Sequence, residues 1–225
     1  MADRKTGNKI EIIRSTKFPE VLVVTPLLPD DYISKITKKT IQRNHKKYFW
    51  ITSSGENNIP TNYQLGLDWA KKNIPNIPKY CIMIDNDIEL GRHMLDRLHD
   101  KLLKSDSSVG YAYAGFEFTG SLVHSFPAIP FSPEKLLLAN YISSNSMFKM
   151  SVIEDVGLVT DDKYKRLLDY AFLLKCLKMG YVGIPVPKAR FLAHSQSGNI
   201  SAGSNEDYQV KYMRVYEDFV KPLLS

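Results

Sequence analysis

Cysteine is scarce in this sequence: Cys81 and Cys176 are the two, and each lies inside an apolar run. That pattern excludes a disulfide framework and a cysteine-rich zinc site, and it reads as reduced core thiols of an intracellular protein. Long apolar runs are missing too. No stretch approaches the roughly 18 residues that a membrane span needs, so no transmembrane segment is expected. The opening "MADRKTGNKIEIIRS" has no apolar core, so no secretory signal is expected either, and the Asn199-Ile200-Ser201 sequon is expected to stay unmodified. Also absent are a basic motif interleaved with aromatics, a helix-turn-helix pattern and a zinc finger. The net charge of +6 therefore does not imply a nucleic-acid partner. Its densest part, "KITKKTIQRNHKK" at 35–47, holds six Lys/Arg and no acid, and Ile33, Ile36 and Ile41 make it one side of a solvated helix. Attraction to phosphorylated substrates or anionic lipid headgroups accounts for the charge equally well.

What is present is an ordinary globular composition, 44% hydrophobic and 24% charged, in 225 residues, enough to bury a sizeable core in a single domain over 1–225. Short runs rich in β-branched and aromatic residues recur at 20–26, 47–53, 79–85, 109–115, 145–150 and 181–186. Helical patterns at about 32–45 and 61–73 separate the first three. Strands alternating with helices indicate βαβ units and a mainly parallel central sheet flanked by helices. Further helices fit 91–105, where Met94, Leu95, Leu98 and Leu102 share a face, 163–180, closed by Gly180 as a C-cap, and 206–221. In the last, Tyr208, Tyr212, Val215, Tyr216 and Phe219 recur at helical spacing, a stripe suited to core packing or a partner. The segments 120–135, with three prolines, and 194–207, rich in Gly, Ser and Asn, read as loops.

Three features carry chemistry. In "YCIMIDNDIEL" an apolar strand runs into Asp85 and Asp87, two like charges one residue apart. In a parallel sheet ligands bind outside the carboxyl ends of the strands, and a hard divalent cation held by oxygen ligands would relieve the repulsion. A strand-end turn with Asn86 at its tip is the plainer alternative. Asp169 lies among Leu167, Leu168, Phe172, Leu173 and Leu174, where an unpaired carboxylate is costly. It reads either as a first-turn helix charge or as a general base whose pKa a partly apolar cleft raises. His194, between an apolar run and a polar loop, is either structural or a further metal ligand.

The order of these features resembles the family-2 inverting glycosyltransferases of GT-A (Rossmann-like) fold, over about 21–201. "VLVVTPLLPDD" resembles the opening strand and nucleotide loop, ending in Thr25-Pro26. "TNYQLGLDWAKKN" resembles the Arg-Asn-x-Gly-x-x-x-Ala helix, with Asn62 kept and Gly66 close to the usual glycine. "MIDNDIEL" resembles the Asp-x-Asp strand end, and "SNSMFKMSVIEDVGLVTDD" the Met-containing segment ahead of the base. "LLDYAFLLKCLKMGYVG" is similar to the Glu-Asp helix ending in Gly-Tyr, with Asp169 at the base position, and "HSQSGNIS" to the His-x-x-Gly-x-Ser stretch over the donor diphosphate. The chain departs from the pattern at Leu168, where the family has Glu, in the "TSSGEN" run after the second strand, and in "GLVTDD". The Gln-x-x-Arg-Trp motif of processive synthases is absent.

The resemblance implies a nucleotide-binding part at about 20–90, an acceptor and catalytic part at about 109–205, and a C-terminal helix at about 206–221. It implies a non-processive transfer from a nucleotide-diphospho-sugar, UDP-sugar first, to a glycan, glycoprotein or lipid-linked acceptor. Asp169 would be the base. Asp85, Asp87 and His194 would hold Mn²⁺ or Mg²⁺, and Thr25, Pro26, Ser53, Asn62, Asp85 and Asn86 would contact the nucleotide. The 194–205 loop would cover the diphosphate, and His124, Phe126 and Phe131 would shape the acceptor site. The expected setting is the cytoplasm, free or peripheral to a membrane; small free-standing domains of large algal viruses that decorate capsid proteins are similar. The alternatives are a non-catalytic nucleotide-sugar or glycan-binding module and a sugar-phosphate nucleotidyltransferase, although the glycine-rich, arginine-containing loop of the latter is missing from "VTPLLPDDY".

Overall fold

The computed structural model describes residues 8–44, 47–120, 123–195 and 205–224. Its strands are β1 (Lys9–Arg14), β2 (Val21–Pro26), β3 (Tyr48–Ser54), β4 (Tyr80–Met83), β5 (Ile88–Leu90), β6 (Val109–Gly120), β7 (His124–Phe126), β8 (Met147–Lys149) and β9 (Val182–Ser195). The helices are α1 (Lys35–Gln42), α2 (Ile59–Asn73), α3 (Met94–Leu103), α4 (Pro133–Leu138), α5 (Met150–Val156), α6 (Leu168–Lys178), α7 (Asn205–Val215) and α8 (Lys221–Leu224), the last two joined by a π-helical turn, Tyr216–Val220.

All nine strands form one sheet in the order β1-β3-β2-β4-β8-β6-β9-β5, with β7 added on β6. β2 is buried along its whole length, and its alternation feeds both faces. Leu22 and Val24 join a core with α2, α5, α6 and the C-terminal helices, and Val21 and Val23 join one with α1 and α3.

The expected mainly parallel sheet is corrected to a mixed one. β2 is parallel to β3 and to β4, and β6 to β9, but β1, β5, β7 and β8 each pair antiparallel with their neighbours. The three-residue β8 sits between β4 and β6 and separates the parallel set β3-β2-β4 from the parallel pair β6-β9. A residue pattern shows that 145–150 is extended but carries no strand direction. The 120–135 stretch is not a plain loop, since it contains β7 and the start of α4. β1 and β5 lie at the sheet's two ends, and β5 is three residues long, too short for a periodic signal.

Helix ends follow local chemistry. Asn58 caps α2 through its side chain on the Thr61 N–H, with proline in the first turn. After α6, Gly180 takes φ +80° and its N–H bonds the Leu177 carbonyl at 3.0 Å, as the C-cap reading requires. Gly66 lets α2 approach the sheet: a Cβ there would lie 2.7 Å from Val24 Cγ1 and 2.9 Å from Ser53 Oγ.

Candidate functional site

A cleft of about 540 Å³ opens at the carboxyl ends of β2 and β4. Its lining comes from Pro26 and Asp31 after β2, Asn57 to Pro60 at the start of α2, Met83 and the 85–87 turn after β4, Ser144, the 162–169 segment entering α6, and Tyr208 of α7. Five aspartates line it, Asp31, Asp85, Asp87, Asp162 and Asp169, against Lys165 and Arg166. In a chain of net charge +6 this one cleft is acidic.

The 85–87 turn is held from both sides. β4 lies mid-sheet and β5 at its far edge, so the chain must cross between them at this turn. The start of α1 secures the crossing: the Ser34 N–H and Thr37 Oγ1 both donate to the Asn86 carbonyl at 3.0 Å, and Thr37 Oγ1 also reaches the Ile88 carbonyl at 2.6 Å. Asn145, which is buried, clamps Asp85: Nδ2 donates to Oδ2 at 2.8 Å and Oδ1 accepts the Asp85 N–H at 3.0 Å. Burial pushes the Asp85 carboxyl up to about 6; the Asn145 bond opposes this, and the charges of Asp87 and Asp169 add to it. The charges of Asp87 and Asp169 therefore both reach Asp85.

Asp169 sits in the first turn of α6, its Oδ1 accepting the Tyr170 N–H at 2.8 Å and its Oδ2 the Asn140 Nδ2 at 3.2 Å. Beneath it lies an apolar cavity of about 60 Å³ lined by Met83, Phe148, Ile153, Phe172 and Leu173 among others. Burial raises the Asp169 pKa, against the lowering by these donors. A carboxylate with apolar surroundings on one side and a polar cleft on the other is equipped to take up a proton.

Of the sequence-derived residues, Pro26, Asp85, Asn86, Asp87 and Asp169 share the cleft. Thr25, Ser53 and Asn62 are fully buried and do not line it. Thr25 Oγ1 accepts the Trp50 indole N–H at 3.0 Å. Ser53 lies under Gly66 of α2. Asn62 staples two loops, donating to the carbonyls of Leu27 and Glu56 at 2.7 Å each and accepting the Glu56 N–H at 2.9 Å. It does not line the cleft. His194 is adjacent along the backbone, its N–H on the Asp87 carbonyl at 3.4 Å, but its ring engages Thr119 Oγ1 at 3.0 Å and Glu89 Oε2 at 3.7 Å. Among the described residues no three His, Cys, Asp or Glu side chains are grouped to hold a metal ion. His124, Phe126 and Phe131 also stand off the cleft: Phe126 stacks on Phe116 at 4.6 Å, and Phe131 packs against Tyr111. The 194–205 loop expected to cover the diphosphate lies mostly outside the described residues, at 196–204.

Sequence reasoning missed Asn145, Asn140, Asn57, Asn58, Lys165, Arg166 and the cleft-facing role of Tyr208. Asparagines are common in turns, so nothing local separates Asn145 from a loop residue. Lys165 and Arg166 could have been flagged as a basic pair four and three residues before the candidate base.

No helix among the described residues is long and apolar enough to cross a membrane. No family model matches the sequence, and comparison with curated proteins finds no match. Solved structures do match the fold. S. aureus TarS 1-349 in complex with UDP aligns with a TM-score of 0.60 and 13% identity, covering 87% of this chain and 64% of that one. The complex of the same protein with UDP-GlcNAc aligns at 0.57 and 12%, covering 85% and 64%. A further S. aureus TarS structure aligns at 0.56 and 12%, covering 88% of this chain but 39% of that one. The chain thus spans less than two thirds of the length of these TarS chains, and what it is shown to share with them is the mixed α/β fold, a sheet flanked by helices.

Proposed function

We propose that the protein is a glycosyltransferase that moves a sugar from a nucleotide-diphospho-sugar, a UDP-sugar first, to an acceptor hydroxyl by a single inverting displacement, adding one residue per event. The observation that carries this reading is the convergence of Asp85, Asp87 and Asp169 on one cleft at the strand ends. The likeness in fold to TarS, a glycosyltransferase with UDP and UDP-GlcNAc complexes, supports the nucleotide-sugar donor.

Asp85 and Asp87 offer oxygen donors only, which suits Mg²⁺ or Mn²⁺; burial first, and the charges of Asp87 and Asp169 second, raise Asp85, and a cation would offset both. Asp87, with Asp85, would hold the ion, with donor phosphate and water completing its shell; the ring of His194 points its contacts elsewhere. When bound, the ion would offset charge developing on the leaving nucleoside diphosphate. Asp169 takes the proton of the acceptor hydroxyl on a carboxylate oxygen, and the Tyr170 and Asn140 donors keep the group oriented for it. Pro26 and the amides of Asn57, Asn58 and Asn86 line the side of the cleft assigned to the nucleoside. The acceptor is a glycan, glycoprotein or lipid-linked hydroxyl.

The test is nucleoside diphosphate release from a panel of sugar nucleotides, with and without Mn²⁺. Slow metal-dependent release from one donor is expected. Absence of both binding and turnover for every sugar nucleotide tested would overturn the reading.

A further inference from the structure

Arg166 has φ +78°, in the left-handed region. Two other described non-glycine residues share that sign, Asp30 and His93, but Asp and His belong to the types that tolerate it and arginine does not. The conformation is imposed by the surroundings. Tyr164 and Leu167 on either side are buried, and the Leu167 N–H closes on the Tyr164 carbonyl at 2.8 Å. A strained backbone at a cleft is a reason to ask what its side chain does.

The Arg166 side chain is 12% exposed and lines the cleft beside Lys165; these two are the cations among the cleft-lining residues. It is oriented from two sides by α7. Asp207 Oδ2 lies 3.6 Å from Nη1, and the Tyr208 ring lies 5.4 Å from the guanidinium carbon. Asp207 is itself fixed by Lys211 Nζ at 2.9 Å. The guanidinium fork matches phosphate oxygens. A cleft lined by five aspartates needs positive charge before a diphosphate can enter. A cation at Asp85 and Asp87 would supply it on the β4 side only.

We propose that Lys165 and Arg166 form a phosphate-binding site on the α6 side of the cleft, with Arg166 presented by Asp207 and Tyr208 of α7. This deepens the glycosyltransferase reading and rests on it for the source of the phosphate, which is the donor diphosphate or a phosphorylated acceptor. The residues were not among those the sequence assigned.

The experiment is calorimetric titration of the full chain with inorganic pyrophosphate, and with UDP in Mn²⁺, for the wild type, Lys165→Ala and Arg166→Gly. Glycine adopts φ +78° without strain, so Arg166→Gly keeps the backbone, and a cooperative thermal transition shows that the variant folds even where the lost contacts to Asp207 and Tyr208 lower its midpoint. Pyrophosphate affinity is expected to drop at least tenfold in Arg166→Gly and several-fold in Lys165→Ala. If UDP displaces pyrophosphate and its own affinity falls in parallel, the donor diphosphate is the source. Pyrophosphate binding that depends on Arg166 but is not displaced by UDP supports the site with an acceptor phosphate as source. Pyrophosphate binding in a chain that binds no sugar nucleotide supports the site while overturning the proposed donor chemistry. Pyrophosphate affinity unchanged in folded Arg166→Gly, or absent from the wild type, overturns the site.

Discussion

Asn145 grips Asp85 twice, through Nδ2 on the carboxylate at 2.8 Å and through Oδ1 on the backbone N–H at 3.0 Å. The two residues are 60 positions apart in sequence. The pair ties β8 to the turn after β4, the antiparallel junction between the two parallel sets of strands. A candidate metal carboxylate is thus aimed from the segment that leads into β8, an antiparallel strand.

Asn145→Ala strips that clamp. Leaving the buried partner groups unpaired costs about 1–3 kcal/mol, so the thermal midpoint should fall by several degrees. Mn²⁺ affinity should fall about 10–100-fold, as is usual when the partner of a metal ligand is lost. Differential scanning calorimetry and Mn²⁺ titration measure the two effects. Lowered stability with unchanged Mn²⁺ affinity would confine Asn145 to the fold.

The pH dependence follows from Asp85. Its folded-state value of about 6 lies above the ordinary 3.8, so the folded chain holds this proton more tightly than the unfolded one. Stability owed to Asp85 is therefore fully present below the ordinary value and lost as pH rises through about 6. Metal binding requires the ionised carboxylate and runs the other way. Mn²⁺ titrations in two buffers of different ionisation enthalpy should show proton release at a pH of about 5.5 and little at about 7.5. Equal release at both would remove Asp85 from the metal shell.

Asp169→Asn preserves shape and the Asn140 contact in altered form but cannot accept the acceptor proton. Transfer should fall by about 10²–10⁴-fold, with donor affinity within about twofold of wild type. Joint loss of donor binding and transfer would instead assign Asp169 a structural role.

Asn62→Ala tests the reassignment of Asn62 from nucleotide contact to loop staple. Three hydrogen bonds disappear from a fully buried site, at about 2–4 kcal/mol in total. Urea unfolding should show that loss, while UDP affinity of the folded protein changes by less than about threefold. A selective loss of UDP affinity at unchanged stability would return Asn62 to the binding residues.

What could be read from residues alone was the local chemistry. The apolar run ending in Asp85 and Asp87 placed a strand and its charged end, because a buried strand cannot tolerate paired carboxylates within it. Leucines around Asp169 marked a carboxylate in apolar company, and Gly180 marked a helix end, because glycine alone takes φ +80° cheaply. Thr25, Ser53 and Asn62 are buried away from the cleft, and the sequence could not show this for a common reason. Polar residues at strand ends and helix starts look alike whether they face a cleft or satisfy buried backbone, and the difference lies in partners tens of residues away, such as Trp50 for Thr25 and Leu27 for Asn62.

Local patterning set the alternating α/β elements and singled out Asp85, Asp87 and Asp169, since periodicity and the cost of burying charge are local properties. The mixed strand order, the turning of His194 toward Thr119 and Glu89, the Asn145 clamp on Asp85 and the arrival of Tyr208 and Arg166 at the same cleft come from the folded arrangement alone. Those depend on which segments meet, and pairing energies between distant segments leave no period in the chain.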